Sequence, residues 1–170
     1  MFVLESYESG GALVVNRAYP YRATFNAATH EEAVAIVVAL NQTDMLNALA
    51  AHRFEFETAG LDIGGGIQIK TDRESQGQIA NAFVSLNFDL IPDTPFKAVE
   101  GWSTVTKAQI LPIAKATAAH TRACFSGEKA VQDLIGAAKS ADDIAAISIE
   151  QAFSAAYVAA YAEVMQPTGA

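Results

Sequence analysis

The spacing of polar and apolar positions divides this chain near residue 71. Before it, short runs with strand character surround one helical stretch. Residues 2–7 and 12–18 are rich in β-formers, and between them "ESGG" supplies glycines that accept the positive φ of a hairpin turn. "YRATFN" (21–26) adds a third strand after Pro20. "THEEAVAIVVALN" (29–41) reads as a helix opened by Thr29 and Glu32 at capping-box spacing, and "DMLNALAAH" (44–52) as a second, short one. "RFEFET" (53–58) alternates Arg53, Glu55 and Glu57 with Phe54 and Phe56, the period of a half-buried strand. "LDIGGGIQIK" (61–70) pairs two further runs across Gly64, Gly65 and Gly66. Those glycines join strands and precede no helix or Lys-Ser/Thr, so they read as a hairpin and not a phosphate loop.

From Thr71 onward the period becomes helical. "TDRESQGQIANAFVSL" opens with Thr71 and Glu74 at capping-box spacing and repeats Ile79, Phe83 and Leu86 on one face. "FKAVEGWSTVT" (96–106) reads as a hairpin through Glu100-Gly101, with Trp102 as an anchor over a helix. A long helix spans 107–125, with Pro112 past its first turn. Ser126-Gly127 then punctuates before helices at 128–139, from Ser140, and over 149–165, ahead of a frayed "QPTGA". The expected fold is therefore α+β: a β-rich N-terminal part with a short helical insert (1–70), then a helical bundle carrying a small Trp-containing hairpin (71–170).

Composition narrows the function. In 170 residues, 51% are hydrophobic, enough for a real core, and the net charge is −8. Eleven scattered basic residues offer neither a phosphate-tracking surface nor a polybasic membrane patch, so nucleic acid and membrane are not expected partners. One cysteine and three dispersed histidines exclude a disulfide framework and disfavour a zinc site. The apolar run 33–40 is too short to span a bilayer, and the N-terminus lacks the pattern of a signal peptide. No cofactor is expected.

Candidate chemistry is sparse. His120 and Cys124 share a helical face, but a thiol near a helix C-terminus beside Phe125 lacks the setting that favours a thiolate. The acidic pairs Glu31-Glu32 and Asp142-Asp143 follow Thr or Ser at helix starts, where capping explains them. Phe153, Tyr157 and Tyr161 recur every four residues among alanines in "AAYVAAYA", a candidate interface that intramolecular packing explains equally well. No catalytic residue is assigned, and an enzyme is not expected.

The stretches "IQIKTDRESQGQIANAF" and "FKAVEGWSTVTKAQILPIAKATAAHTRACFSGEKAVQDLIGAAKSADDIAAISI", residues 67–149 with a gap, resemble a domain-of-unknown-function family recurrent in tailed-phage and prophage proteins. The resemblance rests on a "TDRESQ"-like element, a Trp-containing hairpin followed by "VT-x-A", and a long helix ending "H-x-x-A-C/A-F-x-x-E". It implies that the cysteine position also accepts alanine and that the stretch from His120 is a helix–helix junction. It further implies a phage context near tail fibres and their assembly. The expected role is a virion component, a fibre- or baseplate-associated adaptor made in the bacterial host cytoplasm and contacting other tail proteins as an oligomer. The alternative is a tail-fibre assembly chaperone that leaves the finished particle.

Overall fold

A computed structural model describes residues 1–65, 67–98 and 101–166, with the Ala98 side chain excepted. The chain is α+β and forms two compact units, one from Met1–Ala51 with Glu128–Ala152, the other from His52–Gly127 with Phe153–Ala170. The elements are β1 (Phe2–Glu8), β2 (Gly11–Asn16), β3 (Tyr21–Asn26), α1 (His30–Thr58), β4 (Leu61–Asp62), β5 (Gln68–Ile69), α2 (Arg73–Asn87), β6 (Thr94–Ala98), β7 (Gly101–Val105), α3 (Lys107–Ala137), α4 (Ala141–Ala145) and α5 (Ile149–Met165).

In the first unit, β1, β2 and β3 make an antiparallel meander. The β1–β2 turn holds Ser9 and Gly10 at φ of 48° and 83°, the two left-handed residues that a tight primed turn requires. Phe2 and Val14 pack on Val37 of α1, while Ala12 and Ala27 meet Ala33 one turn earlier. Asn41 binds the β1 backbone at both ends of its amide: its Oδ1 accepts from Phe2 N at 2.7 Å and its Nδ2 donates to Phe2 O at 2.9 Å. Gln42 donates to the carbonyls of Ile135 and Ala138. The polar stretch after Leu40 thus binds backbone groups and does not end the helix.

Four expectations are corrected here. The two short helices and the strand over 53–58 are a single 29-residue helix, α1, so the insert is not short. With a window of mean hydropathy 1.4, α1 is long and apolar enough to cross a membrane by length and composition, unlike the run 33–40 taken alone. Its Ala33 and Val37 pack on the three-stranded sheet. Gly127 does not break α3, which runs 31 residues through Pro112 and Ser126. His120 and Cys124 therefore lie in mid-helix and not at a junction. The cap of α2 is Asp72, which accepts from Ser75 N at 2.9 Å, and not Thr71. At α4, Ser140 and Asp143 do form a capping box, as their spacing indicates.

In the second unit, Ile69, Ile79, Leu86, Val105 and Ile110 form the buried centre, drawn from β5, α2, β7 and α3. The β4–β5 and β6–β7 hairpins are separate two-stranded sheets. Gly66 lies outside the described residues, as do Val99, Glu100 (half of the expected Glu100-Gly101 turn) and the end of "QPTGA" from residue 167. In the β6–β7 register Lys97 faces Trp102 and Phe96 faces Ser103, so Phe96 and Val105 turn inward while Lys97 and Trp102 point away.

Candidate functional site

Glu57 ends α1 with a fully buried carboxylate, and a buried charge persists only where it is paired and hydrogen-bonded. Arg53, one helical turn earlier, binds its Oε2 at 2.5 Å, and Arg73 of α2 reaches Oε1 at 3.1 Å. Gln76 donates from Nε2 to Oε1 at 3.2 Å and to the Thr71 carbonyl at 2.6 Å. Thr71 is itself buried, its hydroxyl accepting from Gly60 N at 2.9 Å. The "TDRESQ" element is thereby assigned residue by residue. Thr71 closes the loop after α1, Asp72 and Ser75 cap α2, and Arg73 and Gln76 hold Glu57.

His120 of α3 meets the same helix end. Its Nε2 lies 3.0 Å from the Glu57 carbonyl oxygen, which can only accept, so Nε2 carries the proton. Nδ1 then accepts from the Tyr157 hydroxyl at 2.8 Å. Phe56 stacks on the imidazole at 6.0 Å between centroids. Burial holds His120 below its ordinary 6.5, outweighing the opposing hydrogen bond to Glu57 and its charge. The ring is neutral, with both nitrogens engaged.

Cys124 sits one turn beyond, with Sγ 3.9 Å from Nε2. Burial pushes its thiol up to about 12, and Glu57 adds to that shift. The nitrogen it faces is the protonated one, so no base is available to take the thiol proton. This geometry supports a packed, protonated thiol.

The α5 row is brought together as a stack: Phe153 and Tyr157 are 6.4 Å apart between centroids, Tyr157 and Tyr161 5.8 Å. Phe153 is fully buried, edge-on to His52 at 4.9 Å and to Phe56 at 5.3 Å. Tyr157 and Tyr161 are half-buried, and burial raises both phenols. The sequence did not single out Glu57 or Arg53, because their alternation with phenylalanine had placed them on a solvent face.

Other apolar side chains are out. Trp102 is 72% exposed, which corrects its reading as a core anchor, and Phe88 and Leu90 keep 68% and 69% after α2. Between α2 and α3 runs a groove of about 710 Å³ lined by Ile79, Phe83, Leu111, Ala118 and Phe125. Among the described residues no group of acids, histidines and cysteine is arranged to hold a metal.

Fold and site together define an α+β protein in which a buried carboxylate ties α1 to α2, beside a neutral imidazole on α3. The chain belongs to the family described as Domain of unknown function (DUF4376), which matches residues 40–159. The match is wider than 67–149: it takes in Glu57, Phe153 and Tyr157, and leaves β1 to β3 outside. No curated protein and no solved structure matches the chain.

Proposed function

We propose that this protein is a structural component of a bacteriophage tail, a fibre- or baseplate-associated adaptor that acts by protein–protein contact and not as an enzyme. The observation that carries the contact role is the apolar groove between α2 and α3, flanked by Leu111 at 54% and Phe125 at 47% exposure. Apolar surface gathered in this way marks association sites more often than solitary exposed residues do. The phage setting rests on the resemblance of the "TDRESQ" element, the Trp hairpin and the His120 helix to tailed-phage proteins. On this reading the partners are other tail or fibre proteins, with no nucleic acid, membrane or cofactor, and the place of work is the virion. The N-terminal part, residues 1–70, serves as a second docking part. Within the α5 row Tyr161, next to the exposed Val158, is the member placed to contribute to an interface, since Phe153 has no surface to offer.

Mass spectrometry of purified virions is the test. Stoichiometric presence is expected, while presence in infected cells but absence from particles transfers the protein to the assembly-chaperone class. A Leu111→Ser, Phe125→Ser variant is expected to keep its circular dichroism and lose incorporation into particles. Normal incorporation of that variant would remove the groove from the contact surface.

A further inference from the structure

The second unit holds a cleft of about 620 Å³ over the buried centre, walled by the β4–β5 hairpin, α2, the β6–β7 hairpin and the start of α3. Its volume lies in the range of small-molecule sites. Ile69, Ile79 and Val105 give it an apolar floor, and its mouth carries Gln68, Gln78, Gln109, Ser103 and Thr104. Trp102, the sole tryptophan of the chain, stands at its rim, on the ribbon face opposite Phe96 and Val105, and is 72% exposed. Lys97, its cross-strand partner, holds its ammonium 5.7 Å from the centre of the indole ring. Lys70 lines the cleft as well, and among the described residues no aspartate or glutamate does.

We propose that this cleft binds an acidic saccharide, a sugar unit bearing a carboxylate. Three features of the lining converge on that chemistry. A flat, exposed indole matches the C–H face of a pyranose ring, which is apolar although its rim is not. Glutamine amides and hydroxyls both donate and accept, as sugar hydroxyls do, whereas an aliphatic anchor would use neither. The two lysines, Lys70 and Lys97, supply the positive charge that a carboxylate needs, and no acid stands with them among the described lining residues. Lys97 stands over one face of the indole, so its charge lies close to a sugar stacked on the other.

The test uses the full chain and its own fluorophore. Trp102 emission is followed during titration with oligogalacturonate, a glucuronate-containing oligosaccharide and sialyllactose, each against its neutral counterpart. A saturable blue shift is expected with at least one acidic sugar, with affinity tenfold or more above the neutral form. By calorimetry, Trp102→Ala should weaken that binding at least tenfold, and Lys97→Gln should reduce the preference for the acid, both with unchanged circular dichroism. The proposal is overturned if none of the acidic sugars gives a saturable signal, or if neutral forms bind as well. Undiminished binding by Trp102→Ala overturns it too.

Discussion

Gly127 of α3 and Phe153 of α5 touch where a side chain would otherwise stand. A β-carbon at Gly127 would lie 2.9 Å from Phe153 Cδ2 and 3.0 Å from both its Cε2 and its carbonyl oxygen. The glycine thus lets two helices meet at backbone distance, with the ring of Phe153 wholly inside.

Gly127→Ala is therefore expected to destabilise by ~1–3 kcal/mol, the usual range for overfilling a packed core. Gly136, on the same helix, has nothing within 4 Å of an added β-carbon. Gly136→Ala is expected to stabilise by ~0.5–1 kcal/mol through helix propensity alone. Urea unfolding of the two variants gives opposite signs if the contact governs; equal signs refute it.

Arg53 and Arg73 both bind Glu57, whose carboxylate has no access to water. Glu57→Gln should cost about 3–5 kcal/mol, because it removes the buried charge that both guanidinium groups bind. Arg73, whose side chain is 55% exposed, can return to solvent, so Arg73→Ala should cost about 1 kcal/mol or less. Chemical denaturation that ranks the two variants in the reverse order contradicts the network as described.

Acid should loosen the second unit through His120. Its folded-state pKa lies below the ordinary 6.5, so the folded protein binds fewer protons than the unfolded chain in that window. The contribution is fully present above pH 6.5 and is lost as pH falls through the depressed folded value. His120→Gln should flatten the stability profile between pH 7 and 5, and an unchanged slope in that variant would assign the effect elsewhere.

Cys124 should be silent to thiol reagents. Its thiol is fully buried and pushed up to about 12, so the native protein at neutral pH should label orders of magnitude more slowly than in denaturant. Cys124→Ala should cost ~1 kcal/mol, as single core changes do. Prompt labelling of native protein by Ellman's reagent contradicts the packing.

Much of the element order was legible from residue order. The three strands, the Thr29 helix start and the exact span of α5 follow period, turn glycines and capping residues. What misled was the assumption that polar means outward. In "RFEFET" the charge of Glu57 is inside while Phe54 is 49% exposed, so a strand-like alternation conceals a helix with an i,i+4 ion pair. Asn41 and Gln42 look like the break between two helices because their backbone partners lie 39 and 93 residues away. Gly127 looks like punctuation because only Phe153 reveals why a side chain is excluded. Of the candidate site, the sequence marked His120 and the aromatic row but not the acid between them. Trp102 was placed inside by size, although its strand position turns it outward.

The β6–β7 ribbon pairs with no third strand among the described residues, which leaves the outer side of β6 open to another chain. Pro95 has no N–H to offer there, and Lys97 would carry its charge into any added pairing. Both residues are gatekeepers against edge-to-edge aggregation. The exposed indole thus stays open to a ligand while the strand beside it resists being zipped into another sheet.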